Sequence, residues 1–193
     1  ADAVTQINVT GSAETTLVNG SILDVAAVTI DASALTGAFT QTGVLLTGST
    51  VTGSATAINN MTLSTTLGTV YTGGSANDIF TAPTVADLVA TGSNDNKVHG
   101  GTHAATATIA GDGIVMTATT NTILDNHFTF VTGMEMLTTS TSTTSITTGG
   151  AFNSAFADGA TITSGTLADT TVYTLAAGLS NSDLVVALDG TAL

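Results

Sequence analysis

Three polar pairs separated by a fixed step constrain this chain more than any other feature of it. Asn59-Asn60, Asn77-Asp78 and Asp95-Asn96 are each 18 positions apart (77−59 and 95−77). Half-way along the second step, Ala82 to Ala90 puts Asp87 in the column of Asp78 and Val89 in the column of Phe80. A nine-residue register then aligns Tyr71, Phe80, Val89, Val98, Ala107 and Met116 as an apolar column. A polar column of Asn60, Thr69, Asp78, Asp87 and Asn96 runs beside it and fails at Ala105. Recurrence at this length is the mark of a coil stacked along an axis, in which backbone pairing runs between successive coils and apolar residues fill the interior. Loops 18 apart are expected to stack on one side, and loops nine apart to lie opposite.

Composition agrees with extended chain. Apolar residues make up 42 % but aromatics only 4 %, so Val, Ile, Leu and Ala must build the core. Thr and Val favour strands, and 21 Gly supply turns. The mean hydropathy of +0.44 sets the chain apart from disordered polar sequences. The expectation is an all-β fold, a parallel β-solenoid of β-roll or β-helix type with a more irregular C-terminal half. One elongated domain spans 1–193: leading strands in 1–54, roll-like repeats in 55–110, further strands and coils in 111–193. A change of style is expected near residue 110. Within it, Thr5–Thr10, Phe128–Val131, Thr171–Leu175 and Asp183–Leu188 read as strands, as does the polar-faced tract Thr138–Thr148. Ala155–Ala160 reads as a single helical turn.

Charge narrows the function. Lys97 is the one basic residue against 14 acidic ones, for a net of −13. Binding nucleic acid requires basic side chains on phosphates, so no nucleic-acid partner is expected. Attraction to anionic lipid fails for the same reason. Divalent cations are the natural counter-ions. Without cysteine there are neither disulfides nor thiolate sites. No run is long enough for a transmembrane helix. Ala1-Asp2-Ala3-Val4 has neither the basic region nor the apolar core of a signal peptide, which suggests a mature or excised chain, or export without an N-terminal signal.

The segment Gly73-Gly74-Ser75-Ala76-Asn77-Asp78-Ile79-Phe80 carries the most specific chemistry. It matches the Ca²⁺-binding nonapeptide Gly-Gly-x-Gly-x-Asp-x-apolar-x at Gly73, Gly74, Asp78 and Phe80, with Ala76 in place of the third glycine. Calcium takes six to eight hard oxygens, and stacked turns would offer Gly73, Ser75 and Asp78 from one coil with Gly92, Asn94, Asp95 and Asn96 from the next. The alternative for the same residues is a metal-free ladder of Asn and Asp hydrogen bonds.

Three stretches resemble the RTX-type surface-layer and cell-surface proteins of bacteria: Thr29–Gly37, Thr72–Thr81 and Phe130–Leu137. The resemblance implies a secreted, extracellular protein exported by a type I route, with a parallel β-solenoid and Ca²⁺-driven folding. It also implies self-assembly into an S-layer lattice; cell-surface polysaccharide is a further candidate partner. An adhesin or an extracellular filament subunit is the alternative.

No catalytic site is expected. His99 and His103 flank Gly100-Gly101, which argues for a turn rather than a metal-binding helix, and His127 reads as a strand-end residue. No Gly-x-Ser-x-Gly marks a nucleophile. A polysaccharide lyase lacks basic candidates, and a hydrolase would need Asp78, Asp87 and Asp95 to converge although the roll puts Asp87 on the opposite edge. Thr-x-Thr pairs at Thr106/Thr108, Thr117/Thr119 and Thr161/Thr163 raise an ice-binding solenoid as a lesser reading. The sequons at Asn8, Asn19 and Asn60 read as chance.

Overall fold

The computed structural model describes residues 4–18, 26–84, 87–88, 95–102, 111–117, 122–140, 143, 145–164, 172–174 and 184–188. Its strands pair in parallel throughout, as a solenoid requires. One wall is a six-stranded sheet of β1 (Gln6–Asn8), β3 (Thr29–Asp31), β5 (Thr50–Thr52), β7 (Val70–Thr72), β9 (Lys97–His99) and β12 (Val131–Thr132). The other is an eight-stranded sheet of β2 (Thr15–Val18), β4 (Phe39–Thr42), β6 (Asn59–Thr62), β8 (Ile79–Ala82), β10 (Gly113–Met116), β13 (Met136–Thr139), β15 (Ala160–Ser164) and β17 (Leu184–Leu188). Up to β10 the strands alternate between these two walls. Beyond it a three-stranded sheet of β11 (Thr122–Ile123), β14 (Ser145–Thr147) and β16 (Val172–Thr174) adds a third side.

Period-two alternation builds the core. Ile30, Val51, Tyr71, Val98 and Val131 point inward from the first wall, and Met61, Phe80, Ile114, Leu137 and Ile162 from the second. Tyr71 is wholly buried, and its hydroxyl accepts the Ser64 N–H at 2.7 Å; burial drives the phenol pKa well up. That hydroxyl meets an obligation: a buried N–H without a partner costs about 1–3 kcal/mol.

The coil is not 18 residues long. Equivalent corner positions lie 19 (Asn59 to Asp78), 27 (Thr69 to Asn96), 34 (Asp78 to Asp112) and 23 (Asp112 to Glu135) residues apart. The nine-residue column therefore splits: Tyr71 and Val98 are partners in the six-stranded sheet, while Phe80 and Met116 belong to the eight-stranded one. Val89 and Ala107 lie outside the described residues. The one-residue slip also changes a face, because Asn60 pairs with Ile79 and points outward, leaving Asn59 inside.

Two further expectations are corrected. Phe128 closes a 3-10 turn, Asp125–Phe128, and only Val131–Thr132 is strand. Its ring instead packs edge-on against Phe152 (5.2 Å) and Phe156 (5.6 Å). The helix, α1, spans Gly150–Ala155, ahead of the turn expected at Ala155–Ala160. The Asp125 carboxylate sets its start by accepting the Ala151 and Phe152 N–H groups at 3.2 and 2.9 Å, an acidic cap on exposed amide dipoles. α1 packs on β12, at the end of the six-stranded sheet. The tract Thr138–Thr148 contributes to two strands, β13 and β14, in different sheets. Among the described residues no helix is long and apolar enough to cross a membrane.

Candidate functional site

The chain turns sharply between its six-stranded and eight-stranded strands, and several of these turns leave backbone N–H groups that the sheets do not satisfy. Side chains from the following coil accept them. At the entry to the eight-stranded sheet, Asp78 Oδ1 accepts the Asn59 N–H (2.7 Å), Asp112 Oδ1 the Asp78 N–H (2.7 Å), and a Glu135 carboxylate oxygen the Asp112 N–H (2.7 Å). Three acidic residues are thereby stacked on successive rungs, which in a parallel sheet are about 4.8 Å apart. At the entry to the six-stranded sheet the same office falls to neutral groups: Ser49 Oγ accepts the Val28 N–H and Asn96 Oδ1 the Thr69 N–H.

Glycine makes the acidic corner feasible. A Cβ on Gly73 would collide with the Asp78 carboxylate and the Gly100 carbonyl oxygen. One on Gly100 would collide with the Asp112 carboxylate and the Gly133 carbonyl oxygen, and one on Gly53 with the Asn59 amide. The glycine that follows each of β5, β7 and β9 thus vacates the space its polar partner fills.

Electrostatics follow from burial. Asp78 is fully buried, and desolvation raises its pKa although Gly74 N–H (2.5 Å), Asn59 N–H and the Asn59 amide (2.9 Å) all donate to it. Asp112, also fully buried, is pushed up to about 7 by desolvation, with the Asp78 and Glu135 charges adding to the effect. Its Oδ2 has no hydrogen-bond partner. That oxygen and the Gly133 carbonyl oxygen both crowd the position that a Cβ on Gly100 would take. A neutral, protonated Asp112 suits such a position, since its O–H can turn toward a carbonyl. Asp87 is raised by burial too, and its Oδ2 accepts from the Thr84 N–H (2.6 Å) and hydroxyl (3.0 Å).

The residues singled out for calcium are divided between the corners. Gly73, Ser75 and Asp78 share one turn, but their groups do not converge. The Asp78 oxygens face N–H donors, and the exposed Ser75 hydroxyl donates away to the Ala55 carbonyl at 3.0 Å. Asn96 lies at the entry to the opposite wall, where its amide donates to the Ser64 and Asp87 carbonyls (2.8 and 2.9 Å). Asp95 precedes it and is buried; Gly92 and Asn94 lie outside the described residues. Among the described residues of that group, Asp78 and Asn96 serve different corners, and among the described residues no three His, Cys, Asp or Glu are placed to share a metal.

Asp112 and Glu135 belong to the ladder yet escape a fixed-period reading, because their steps of 34 and 23 residues match no common length. A signal was nonetheless present: each follows a glycine closely (Gly111-Asp112, Gly133-Met134-Glu135) and precedes an apolar strand. His99 is an outward residue of β9 with Nδ1 at 2.8 Å from the Thr132 hydroxyl, and burial holds its pKa down. His127 is buried in the 3-10 turn, where its Nδ1 accepts the Leu124 N–H at 3.2 Å. His103, Thr106, Thr108 and Thr119 lie outside the described residues. A cleft of about 300 Å³ crosses the glycine corner, bordered by Ser33, Gly53, Gly74, Ser75 and Thr102. Compared with protein-family models, curated proteins and solved structures, the chain has no significant match in any of the three.

Proposed function

We propose that this chain is a non-catalytic structural protein of the extracellular surface that self-assembles into an S-layer or similar array with the help of Ca²⁺. The observation that carries the reading is the employment of its acids. Asp78, Asp112 and Asp125 are engaged by backbone N–H groups of neighbouring coils, and Asp87 by its own turn. Carboxylates held in this way brace a scaffold; they are not placed to exchange protons with a substrate. The calcium component rests on composition, since 14 acids against one lysine leave self-repulsion for a divalent ion to lower. The RTX kinship and type I export rest on the resemblance of Thr29–Gly37, Thr72–Thr81 and Phe130–Leu137. An adhesin or filament subunit, with polysaccharide as partner, is the second reading, favoured by the hydroxyl-rich outer strands.

Electron microscopy of concentrated protein with Ca²⁺ and with chelator tests this. Sheets that dissolve in chelator are expected. Fibres would select the filament, and dispersed particles under both conditions would overturn assembly.

A further inference from the structure

Charge is distributed unevenly between the two walls. The six-stranded sheet carries Asp31, Lys97 and His99 on its strands, whereas none of the eight strands of the other sheet contains a charged residue or a histidine. In a chain of net charge −13, that wall is a continuous neutral surface. Its outward positions from β4 to β15 include a column of Thr42, Thr62, Thr81, Val115, Thr138 and Thr163, held in parallel register. Every member is β-branched, so each has few rotamers to lose on contact. On the neighbouring column Ile79 is exposed, and Val18, the partner of Thr42 at the sheet edge, is 69 % exposed.

We infer that this neutral wall is the surface through which one copy of the chain meets another; the inference rests on the self-assembly proposed above. A contact made through the six-stranded wall brings Asp31 of two copies together, with one lysine in each chain to balance its acids, and the uncharged three-stranded sheet is much the smaller of the two neutral sides. A second copy presenting the eight-stranded wall needs no counter-charge at all, and like-charge juxtaposition costs several kcal/mol at an interface. Size sets the strength. Six strands, each taking about 4.8 Å, and a width of about 10 Å give a patch of roughly 300 Å². A stable dimer needs about 800 Å² per partner, so one contact is weak and an array must add many.

Sedimentation velocity over a concentration series tests the assignment, with circular dichroism and thermal melts confirming that each variant is folded. Wild type is expected to associate, and Thr62→Glu/Thr81→Glu to weaken that association at least tenfold. The control Thr52→Glu/Thr72→Glu, on the six-stranded wall, is expected to associate as wild type does. Mixing Thr62→Glu/Thr81→Glu with Thr62→Lys/Thr81→Lys is expected to restore association through opposite charges. If wild type associates but the wall variants do so equally well, this surface assignment is overturned while self-assembly stands. If wild type stays monomeric with and without Ca²⁺, both are overturned. Thermal hysteresis in ice, or retention on insoluble polysaccharide, by a monomeric wild type and lost in Thr62→Glu/Thr81→Glu, would give the wall a different occupant and also overturn the inference.

Discussion

The Asp78 N–H donates to the Asp112 carboxylate at 2.7 Å across 34 residues of sequence, and both side chains are fully buried. One acid thus supports the backbone of another in a place where neither is readily charged.

Asp112 makes stability fall as pH rises. Its folded pKa of about 7 lies above the unfolded value near 3.8, so between these limits the folded chain holds a proton that the unfolded chain has released. Its contribution is complete below the unfolded value and is lost as pH climbs through the folded one, at up to about 1.4 kcal/mol per pH unit. Asp78 and Asp87 shift in the same direction. His99 and His127, with lowered pKa values, act oppositely and remove stability as pH falls below about 6.5. Urea midpoints of wild type and Asp112→Asn at pH 5 and 8 isolate the acid. Asp112→Asn keeps an oxygen for Asp78 and is expected to gain on wild type at pH 8; equal differences at both values would refute the assignment.

Asp78→Ala is expected to cost about 2–4 kcal/mol, because it strands the Asn59 and Gly74 N–H groups. Asp78→Asn retains one acceptor but turns an amide toward the other donor, so it should lie between the two in chemical denaturation. If it falls below Asp78→Ala, the ladder does not act through accepted N–H bonds.

Gly73→Ala and Gly100→Ala are expected to prevent folding or to lower the melting temperature by more than 10 °C, since the added methyl meets carbonyl and carboxylate oxygens at once. Gly150→Ala has open space around its Cβ and lies in α1, so it should be neutral or stabilising by about 0.5–1 kcal/mol. A similar loss at all three positions would refute the packing account.

Asp125→Ala removes the acceptor for Ala151 and Phe152, and a loss of about 1–2 kcal/mol is expected. Phe128, Phe152 and Phe156 form one aromatic cluster beside that cap. Their proton shifts, read by NMR, should move together in the variant, while those of Tyr71 stay in place.

The solenoid was legible because its cause is local: β-branched residues alternate with polar ones, and glycine recurs at the corners. The half-coil was nearly legible too, since Tyr71 and Phe80 occupy opposite walls nine positions apart. The partners were not. A fixed period stacked Asp78 with Asn96, whereas the insertion between β8 and β9 sends Asn96 to the other corner, under Thr69. Insertions cost little in a stacked fold, because each coil needs only its neighbours, and so they erase the period without disturbing the pairing. Asp125 was equally hidden, since its partners are 26 and 27 residues downstream and nothing in its surroundings announces a cap.

At the strand entries of the two walls, the side-chain oxygens that accept a backbone N–H across rungs come from the later coil: Ser49 serves Val28, Asp78 serves Asn59, Asn96 serves Thr69, and Asp112 serves Asp78. The molecule therefore has a grain. Peeling it from the C-terminal side removes the cap of each of these strand entries before that strand is pulled, whereas peeling from the N-terminal side leaves the caps of the remaining entries in place. A tether at one end and a tether at the other would then meet different mechanical resistance from the same set of bonds.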